Sequence, residues 1–376
     1  MQLHQKLTRV FSRINTYIAY AGIPVIILGV LVLVLLAAIL NESLRSTSER
    51  AALQYSMQNG NVNFKSAVTF WENKVKTEGP KAAAEDFART AYTIDSEMQS
   101  HLLAHSFGTA LYETERADGL LYCPFEFNQG CAHQFIGESI ENEGPDVIGR
   151  LFDTCRSSGT APACRHSVGH GVMGYFGYTR KGLDQAISLC GTYDEGSRGG
   201  CLVGAFMEYN VRFLATPQDN GQFSTRPFSV ADPYSPCLSV GSAYRTSCAF
   251  ELPRWWFNVG VTDIMTTDEQ RFVRLGELCG NIPDRLSRPC FEGVGLLASM
   301  EGEDIPKTLA LCNLAGASPL ERVFCIAGVV LHMHFWDMPR YANVCDDAGL
   351  TGEYLRYCRD YATTDVERVD SVRLPQ

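Results

Sequence analysis

The hydrophobic positions of the chain form one long uninterrupted run, followed by a series of shorter amphipathic ones. Residues 22–40 contain no charge, and a run of that length suits a helix that crosses a bilayer. The segment 1–20 carries three basic residues and no acid, so the positive-inside rule keeps it in the cytoplasm. Because no Ala-x-Ala-like cleavage site follows the run, the pattern predicts an uncleaved signal anchor at 21–41 and a type II topology, with an exported remainder.

In the exported part, apolar residues recur at helical spacing on both sides of paired cysteines. The fourteen cysteines alternate seven times between short and long separations, which is typical of a repeat. Amphipathic runs such as "GLDQAISLC" precede the first cysteine of a pair, and runs such as "CLVGAFMEYNVRF" follow the second. Each unit is therefore predicted as helix A, a loop closed by a disulfide, and helix B. The predicted bridges are Cys123–Cys131, Cys155–Cys164, Cys190–Cys201, Cys237–Cys248, Cys279–Cys290, Cys312–Cys325 and Cys345–Cys358.

The repeat sets the predicted fold, which is all-α: a solenoid or toroid of about seven to eight helical hairpins behind one N-terminal transmembrane helix. The repeat domain covers 78–358, and "EGPKAAAEDFARTA" with "HLLAHSFGTALYE" forms a cysteine-free first unit. Residues 42–77 are predicted as a helical stalk or cap, and 359–376 as a C-terminal tail. Over about 120–358 the layout resembles the cysteine-stapled, tetratricopeptide-related repeat proteins, in which a disulfide joins the two helices of each hairpin. That resemblance implies a binding scaffold.

Charge and cysteine content restrict the cellular compartment and the classes of partner that are expected. An even number of cysteines in an exported segment indicates a disulfide framework and an extracytoplasmic location, whether periplasmic, extracellular or luminal. The exported part carries 29 basic and 42 acidic residues, which disfavours nucleic acid as a partner. The expected partners are the membrane, through 21–41, and a protein on the surface of the repeats. No nucleophile, phosphate-loop or dinucleotide motif occurs, so catalytic residues stay unassigned.

Five of the eight histidines lie in register within the first three units. His133 and His166 each stand two residues after the second cysteine of a pair, and His101 and His105 match His166 and His170 when the two His-x-x-x-His segments are superposed. Residues four apart share one helix face, so each segment offers two imidazoles to one ion. Adjacent B helices about 8–10 Å apart let the five side chains converge.

Imidazole-rich sites suit zinc, copper or iron, so the column predicts a transition-metal site. Glu113, Glu138 and Glu141 are near enough in sequence to act as partners of the ligands. The predicted function is a membrane-anchored, extracytoplasmic helical-repeat binding or scaffold protein that holds this metal. Two alternatives stay open: a metal-dependent enzyme of oxidoreductase or hydrolase type using the same histidines, and a purely structural interaction module without a cofactor, in which the histidines pack.

Overall fold

The computed structural model divides the chain into two compact units, residues 1–58 and 59–376. It describes residues 31, 33, 63–94, 97–157, 161–193, 198–214, 224–259, 267–283, 285–302, 304–336 and 343–375. The predicted cytoplasmic segment and the predicted anchor at 21–41 lie outside the described residues, except for Leu31 and Leu33, which are helical. Among the residues that the structure describes, no helix has both the length and the apolar character needed to span a bilayer.

The described residues of the second unit are almost entirely helical. One antiparallel pair of two-residue strands, β1 (Val211–Arg212) and β2 (Ser224–Thr225), accompanies the helices. The α-helices are α1 (Phe64–Glu78), α2 (Pro80–Ala91), α3 (Glu97–Glu115), α4 (Gly130–Glu143), α5 (Ile148–Ser157), α6 (Ala161–Phe176), α7 (Arg180–Cys190), α8 (Gly200–Asn210), α9 (Arg245–Asn258), α10 (Asp268–Gly280), α11 (Ser287–Glu301), α12 (Ile305–Ala315), α13 (Pro319–Trp336), α14 (Val344–Asp347) and α15 (Gly352–Thr363).

Local sequence sets where several of these helices begin. Helix α2 begins at Pro80, where the missing N–H costs no hydrogen bond. Thr179 caps α7 by accepting from the N–H of Gly182 at 3.0 Å, and Asp304 caps α12 by accepting from the N–H of Lys307 at 2.8 Å. Each cap satisfies a backbone donor that the helix itself leaves free, and is worth about 1 kcal/mol.

The helices alternate between two roles, as the repeat predicts. The B helices α3, α4, α6, α8, α9, α11, α13 and α15 pack on one another in chain order, and each of the A helices α2, α5, α7, α10, α12 and α14 packs on the B helix that follows it. The protein is therefore an all-α helical-repeat protein. The predicted cysteine-free first unit is the pair α2 and α3, and α1, within the predicted stalk or cap, packs against both.

Seven disulfides join the same cysteine pairs that the spacing predicts, with Cα–Cα separations of 5.3 to 5.8 Å. Each closes a loop of 8 to 13 residues in front of a B helix. A loop of that size stabilises the fold by about 2–3 kcal/mol on the chain-entropy account. The bridges therefore fix the start of seven of the eight B helices.

Two units lack the predicted helix A. A short 3₁₀ helix, Arg116–Tyr122, stands before α4. Residues 226–241, before α9, form turns and irregular backbone instead of a helix. Pro227, Pro233 and Pro236 lie in that stretch, and proline inside a helix removes a hydrogen bond and clashes with the preceding turn. The three prolines thus account for the absence of helix A from this unit.

Glycines let neighbouring B helices approach closely. A Cβ atom built at Gly169 of α6 would lie 2.1 Å from the carbonyl oxygen of Cys201, and one at Gly204 of α8 would lie 2.0 Å from that of His166. Both contacts involve backbone, which a side chain cannot push aside without moving a helix. The approach fixes α6 against α8 at the level of His166.

The C-terminal residues after Cys358 are held by a buried ion-pair network. Helix α15 continues to Thr363, and a 3₁₀ helix, Val366–Ser371, follows. Arg198, 1% exposed, pairs with the fully buried Glu292 and with Asp370, whose Oδ1 lies 3.1 Å from Nη2. Arg288 donates to Glu292 at 2.8 Å and to the carbonyl oxygen of Val369 at 2.7 Å. The network connects the segment 366–371 to α11.

Candidate metal centre

Three consecutive B helices bring the five predicted histidines into one buried cluster. Helix α3 provides His101 and His105, α4 provides His133, and α6 provides His166 and His170. The centre of the His133 ring lies 4.3 Å from that of His170, 5.9 Å from His101, and 6.2 Å from both His105 and His166. His133 therefore stands between the two His-x-x-x-His pairs, and this arrangement follows from the order α3, α4, α6 in the packing.

The α3 pair has a proton arrangement that its hydrogen bonds determine. The Nδ1 of His101 lies 2.9 Å from the carbonyl oxygen of Phe127, which can only accept. The Nδ1 of His105 lies 3.0 Å from Oε1 of Gln134, whose amide is oriented by donating to Glu138 at 3.1 Å. In neutral rings both protons are therefore on Nδ1, and both Nε2 atoms carry lone pairs. These two Nε2 atoms lie 2.9 Å apart, a distance at which two facing lone pairs repel each other.

In the α6 pair one ring, that of His170, is oriented in the same way. His170 donates from Nδ1 to Oε2 of Glu208 at 2.7 Å, and its Nε2 lies 3.0 Å from Nε2 of His166. Glu208 is fully buried and also accepts from the hydroxyl of Tyr178 at 2.7 Å and from the N–H of Phe213 at 2.9 Å. With the N–H of Leu214 at 3.3 Å, four donors hold the carboxylate, which places the proton of His170 on Nδ1 and leaves its Nε2 free to act as a ligand.

His133 differs from the other four histidines. It is 3% exposed, and neither ring nitrogen has a hydrogen-bond partner among the described residues. A buried polar atom without a partner costs free energy, so such atoms in a folded protein call for an explanation. Here both nitrogens lie among the imidazoles of the two pairs, which is the surrounding expected of a metal ligand.

Burial favours the neutral form of three histidines of the cluster. Burial, then the neighbouring His101, lowers the pKa of His105 well below its usual value. Burial also lowers the pKa of His133 and of His166, with His170 as the next cause for each. Neutral imidazole is the form that binds metal, so His105, His133 and His166 are in the required state at neutral pH.

The nitrogen atoms form two overlapping triads in which all ligand atoms lie within 4.8 Å of one another. One triad contains His101, His105 and His133, and the other contains His133, His166 and His170. Two nitrogen ligands of a tetrahedral zinc ion lie about 3.3 Å apart, close to the 2.9 and 3.0 Å found within the pairs. All cysteines are in disulfides, so thiolate ligands are excluded and the imidazole donors suit zinc, copper or iron.

A cavity of about 660 Å³ reaches the cluster, and its lining includes His101, His133 and His166 together with Glu251 and Arg254 of α9. Glu251 is 3% exposed, and burial raises the pKa of its carboxyl group to about 7. Its Oε2 lies 3.5 Å from Nε of Arg254, and both atoms lack a hydrogen-bond partner among the described residues. The size of the cavity is in the range of small-molecule sites.

Of the three predicted carboxylates, one supports the histidine cluster and two do not contact it. Glu138, half-buried, accepts from Gln134 and from Thr109, and so supports the amide that orients His105. Glu113 is exposed and pairs with Arg116 at 3.6 Å, and Glu141 is exposed. Neither exposed residue lies among the histidine contacts.

Sequence reasoning missed the groups that orient the ligands: Gln134, Glu208 and the carbonyl oxygen of Phe127. Glu208 carried a signal, because it is the one charged residue in the apolar run "CLVGAFMEYN", and an acid in a buried helix usually has a specific partner. Gln134 follows His133 directly, but nothing in the sequence pairs its amide with His105. The contact with Phe127 is made by backbone and leaves no sequence signal.

No known protein family, curated protein or solved structure matches the chain.

Proposed function

We propose that the protein is an extracytoplasmic helical-repeat scaffold that binds a transition-metal ion at the five-histidine cluster. The proposal rests on the contacts that the ring nitrogens make. Histidines that bind a metal almost always donate their other ring N–H to a carboxylate, carbonyl or similar acceptor. His101, His105 and His170 each direct Nδ1 to such an oxygen and direct Nε2 into the cluster.

A purely structural packing of the histidines accounts less well for the α3 pair. Two neutral imidazoles with both protons on Nδ1 repel each other at an Nε2–Nε2 distance of 2.9 Å, and burial opposes the protonation that would relieve the repulsion. A divalent ion relieves it without protonating either ring. The ligand set suits zinc, copper or iron.

The proposal includes an extracytoplasmic location and a membrane anchor. Seven disulfides indicate an oxidising, extracytoplasmic environment. We place a single transmembrane signal anchor at 21–41, supported by the uncharged run and its basic flank. The consecutive packing of the B helices supports a solenoid related in layout to cysteine-stapled tetratricopeptide proteins, and its outer surface is where we expect a protein partner.

Metal analysis of the full chain tests the proposal. We expect zinc, copper or iron at near-stoichiometric amounts, and a lower melting temperature after chelation, because a ligand that binds only the folded state stabilises it. The double variant His166→Ala/His170→Ala should bind less metal than the unaltered chain. His332→Ala is the matched control, since His332 is buried, contacts Ser299 and belongs to neither triad. Absence of metal, with a melting temperature that chelation leaves unchanged, would refute the proposal.

The second candidate function is that of a metal-dependent enzyme. Two observations favour it: the cavity reaches His101, His133 and His166, and the buried carboxyl group of Glu251 lines that cavity. A metal with an open coordination position polarises a substrate or activates water. Cobalt substitution separates the two candidates. If azide changes the visible spectrum of the cobalt protein, an exchangeable position exists and the enzyme is supported; an unchanged spectrum supports the scaffold.

A further inference from the structure

The position of His133 bears on how many ions the cluster holds. This side chain belongs to both triads, one with the α3 pair and one with the α6 pair. It is buried, and neither Nδ1 nor Nε2 has a hydrogen-bond partner among the described residues. Among the described residues, His133 is the one histidine of the cluster whose two ring nitrogens are both buried and without a hydrogen-bond partner.

The surroundings of His133 determine what can satisfy those nitrogens. The four other imidazoles are arranged as two pairs, each with an Nε2–Nε2 distance of 2.9 or 3.0 Å. The anchored Nδ1 atoms of His101, His105 and His170 are occupied by oxygen acceptors. The Nε2 atoms of His101, His105 and His170 therefore carry lone pairs and cannot donate to the unprotonated nitrogen of His133.

A single ion leaves part of this arrangement unsatisfied. If it bound one nitrogen of His133 together with one pair, the opposite nitrogen would keep its proton, buried and without an acceptor. An ion bound at the α6 pair would also leave the facing lone pairs of His101 and His105 without a partner. Two ions, one for each pair, provide a partner for both nitrogens of His133 and for both pairs.

Resting on the proposed function, we infer that the cluster is a dinuclear transition-metal centre in which the imidazolate of His133 bridges two divalent ions. The first ion binds one nitrogen of neutral His133 with His101 and His105, or with His166 and His170. The second ion binds the opposite nitrogen and displaces its proton to solvent. No electron is transferred. Two triads that share one residue then provide five side chains for two ions.

Copper(II) alone is the probe that tests the bridge, because two copper(II) ions joined by an imidazolate couple antiferromagnetically. We expect the full chain, after removal of its own metal, to take up two copper ions. Its electron paramagnetic resonance intensity at low temperature should fall well below that of two isolated spins. Loading one zinc and one copper ion per chain should restore the signal of an isolated copper ion.

Variants identify the bridging residue. His133→Ala should abolish the coupling, so that any copper still bound at the two pairs gives its full spin intensity. His166→Ala/His170→Ala should bind one uncoupled ion, and His332→Ala, the matched control, should keep two coupled ions. Circular dichroism of each metal-free variant checks that the helices are retained, and the mixed copper–zinc sample tests the bridge in the unaltered chain.

Two results would overturn the bridge while leaving the proposed function intact. One is a single copper ion per chain whose binding requires all five histidines. The other is two copper ions with the full spin intensity of isolated centres. Failure to bind copper, zinc or iron at all would instead overturn the proposed function itself, so the two failures are distinguishable.

Discussion

Replacing Glu208 by Gln changes one atom and tests whether the buried carboxylate prepares His170 as a ligand. Oε2 accepts from Nδ1 of His170 and from the N–H of Phe213, and Oε1 accepts from Tyr178 and from the N–H of Leu214 at 3.3 Å. In the amide one of these oxygens becomes an NH₂ group, and the two donors facing it lose their acceptor whichever way the amide is oriented.

The structure sets the size and direction of the effect. Each buried donor left without an acceptor costs about 1–3 kcal/mol, so we expect the free energy of unfolding without metal to fall by roughly 2–6 kcal/mol. If the NH₂ group faces Nδ1 of His170, the ring proton moves to Nε2, and that nitrogen can no longer bind metal. Loss of such an orienting contact typically lowers metal affinity about 10–100-fold.

Two measurements separate these effects: urea unfolding in chelator gives the stability, and competition with a chromophoric chelator gives the metal affinity. Tyr178→Phe is the matched control, because it removes another donor to Glu208 and leaves the contact with His170 in place. It should cost about 0.5–1.5 kcal/mol and leave metal affinity unchanged. Wild-type affinity in Glu208→Gln would show that His170 does not depend on this carboxylate and would refute the reasoning.

Three further predictions concern pH, the ion-pair network and helix packing. Burial lowers the pKa of three clustered histidines, so below about pH 6.5 the unfolded chain binds more protons than the folded one, and stability falls as the pH falls. The urea midpoint of the metal-free protein should therefore decrease as the pH is lowered from about 8 to about 5. A midpoint that does not change with pH would contradict this prediction. Arg198→Met leaves Glu292 buried with one cationic partner fewer and should lower the free energy of unfolding in urea by about 3–5 kcal/mol. An unchanged free energy of unfolding would show that the network does not stabilise the fold. Gly204→Ala places a Cβ atom against the carbonyl oxygen of His166 and should lower both the melting temperature and the metal affinity. Gly149→Ala is the control, because its Cβ meets only the hydroxyl of Tyr193 at 3.9 Å. Equal melting temperatures and affinities of the two variants would argue against close packing at Gly204.

The sequence predicts the hairpins well because cysteine spacing is a local property. A loop of 8 to 13 residues can be closed by a bridge only when the helices on its two sides lie together. The register of His133 and His166, each two residues after a cysteine, then follows from the repeat. Local spacing fails at residues 226–241, where three prolines disrupt the helix that the repeat would otherwise place there.

The contacts that orient the ligands could not be predicted because they join distant residues. Glu208 is 38 residues from His170, and Gln134 is 29 from His105. No local pattern links such residues, since their proximity depends on how successive B helices pack. Even the buried acid in "CLVGAFMEYN" predicts only that Glu208 needs a partner, and not which side chain it is.

The disulfides and the histidine cluster are mechanically linked through the first turns of α4 and α6. Cys131 and His133 are two residues apart on one helix, as are Cys164 and His166, so each bridge holds the start of the helix that positions a ligand. Restraining these loops removes conformational freedom that metal binding would otherwise have to restrict. A cluster with few charges and no thiolate gains affinity from such preorganisation. Reduction of Cys123–Cys131 and Cys155–Cys164 should therefore weaken metal binding even though no sulfur atom is a ligand.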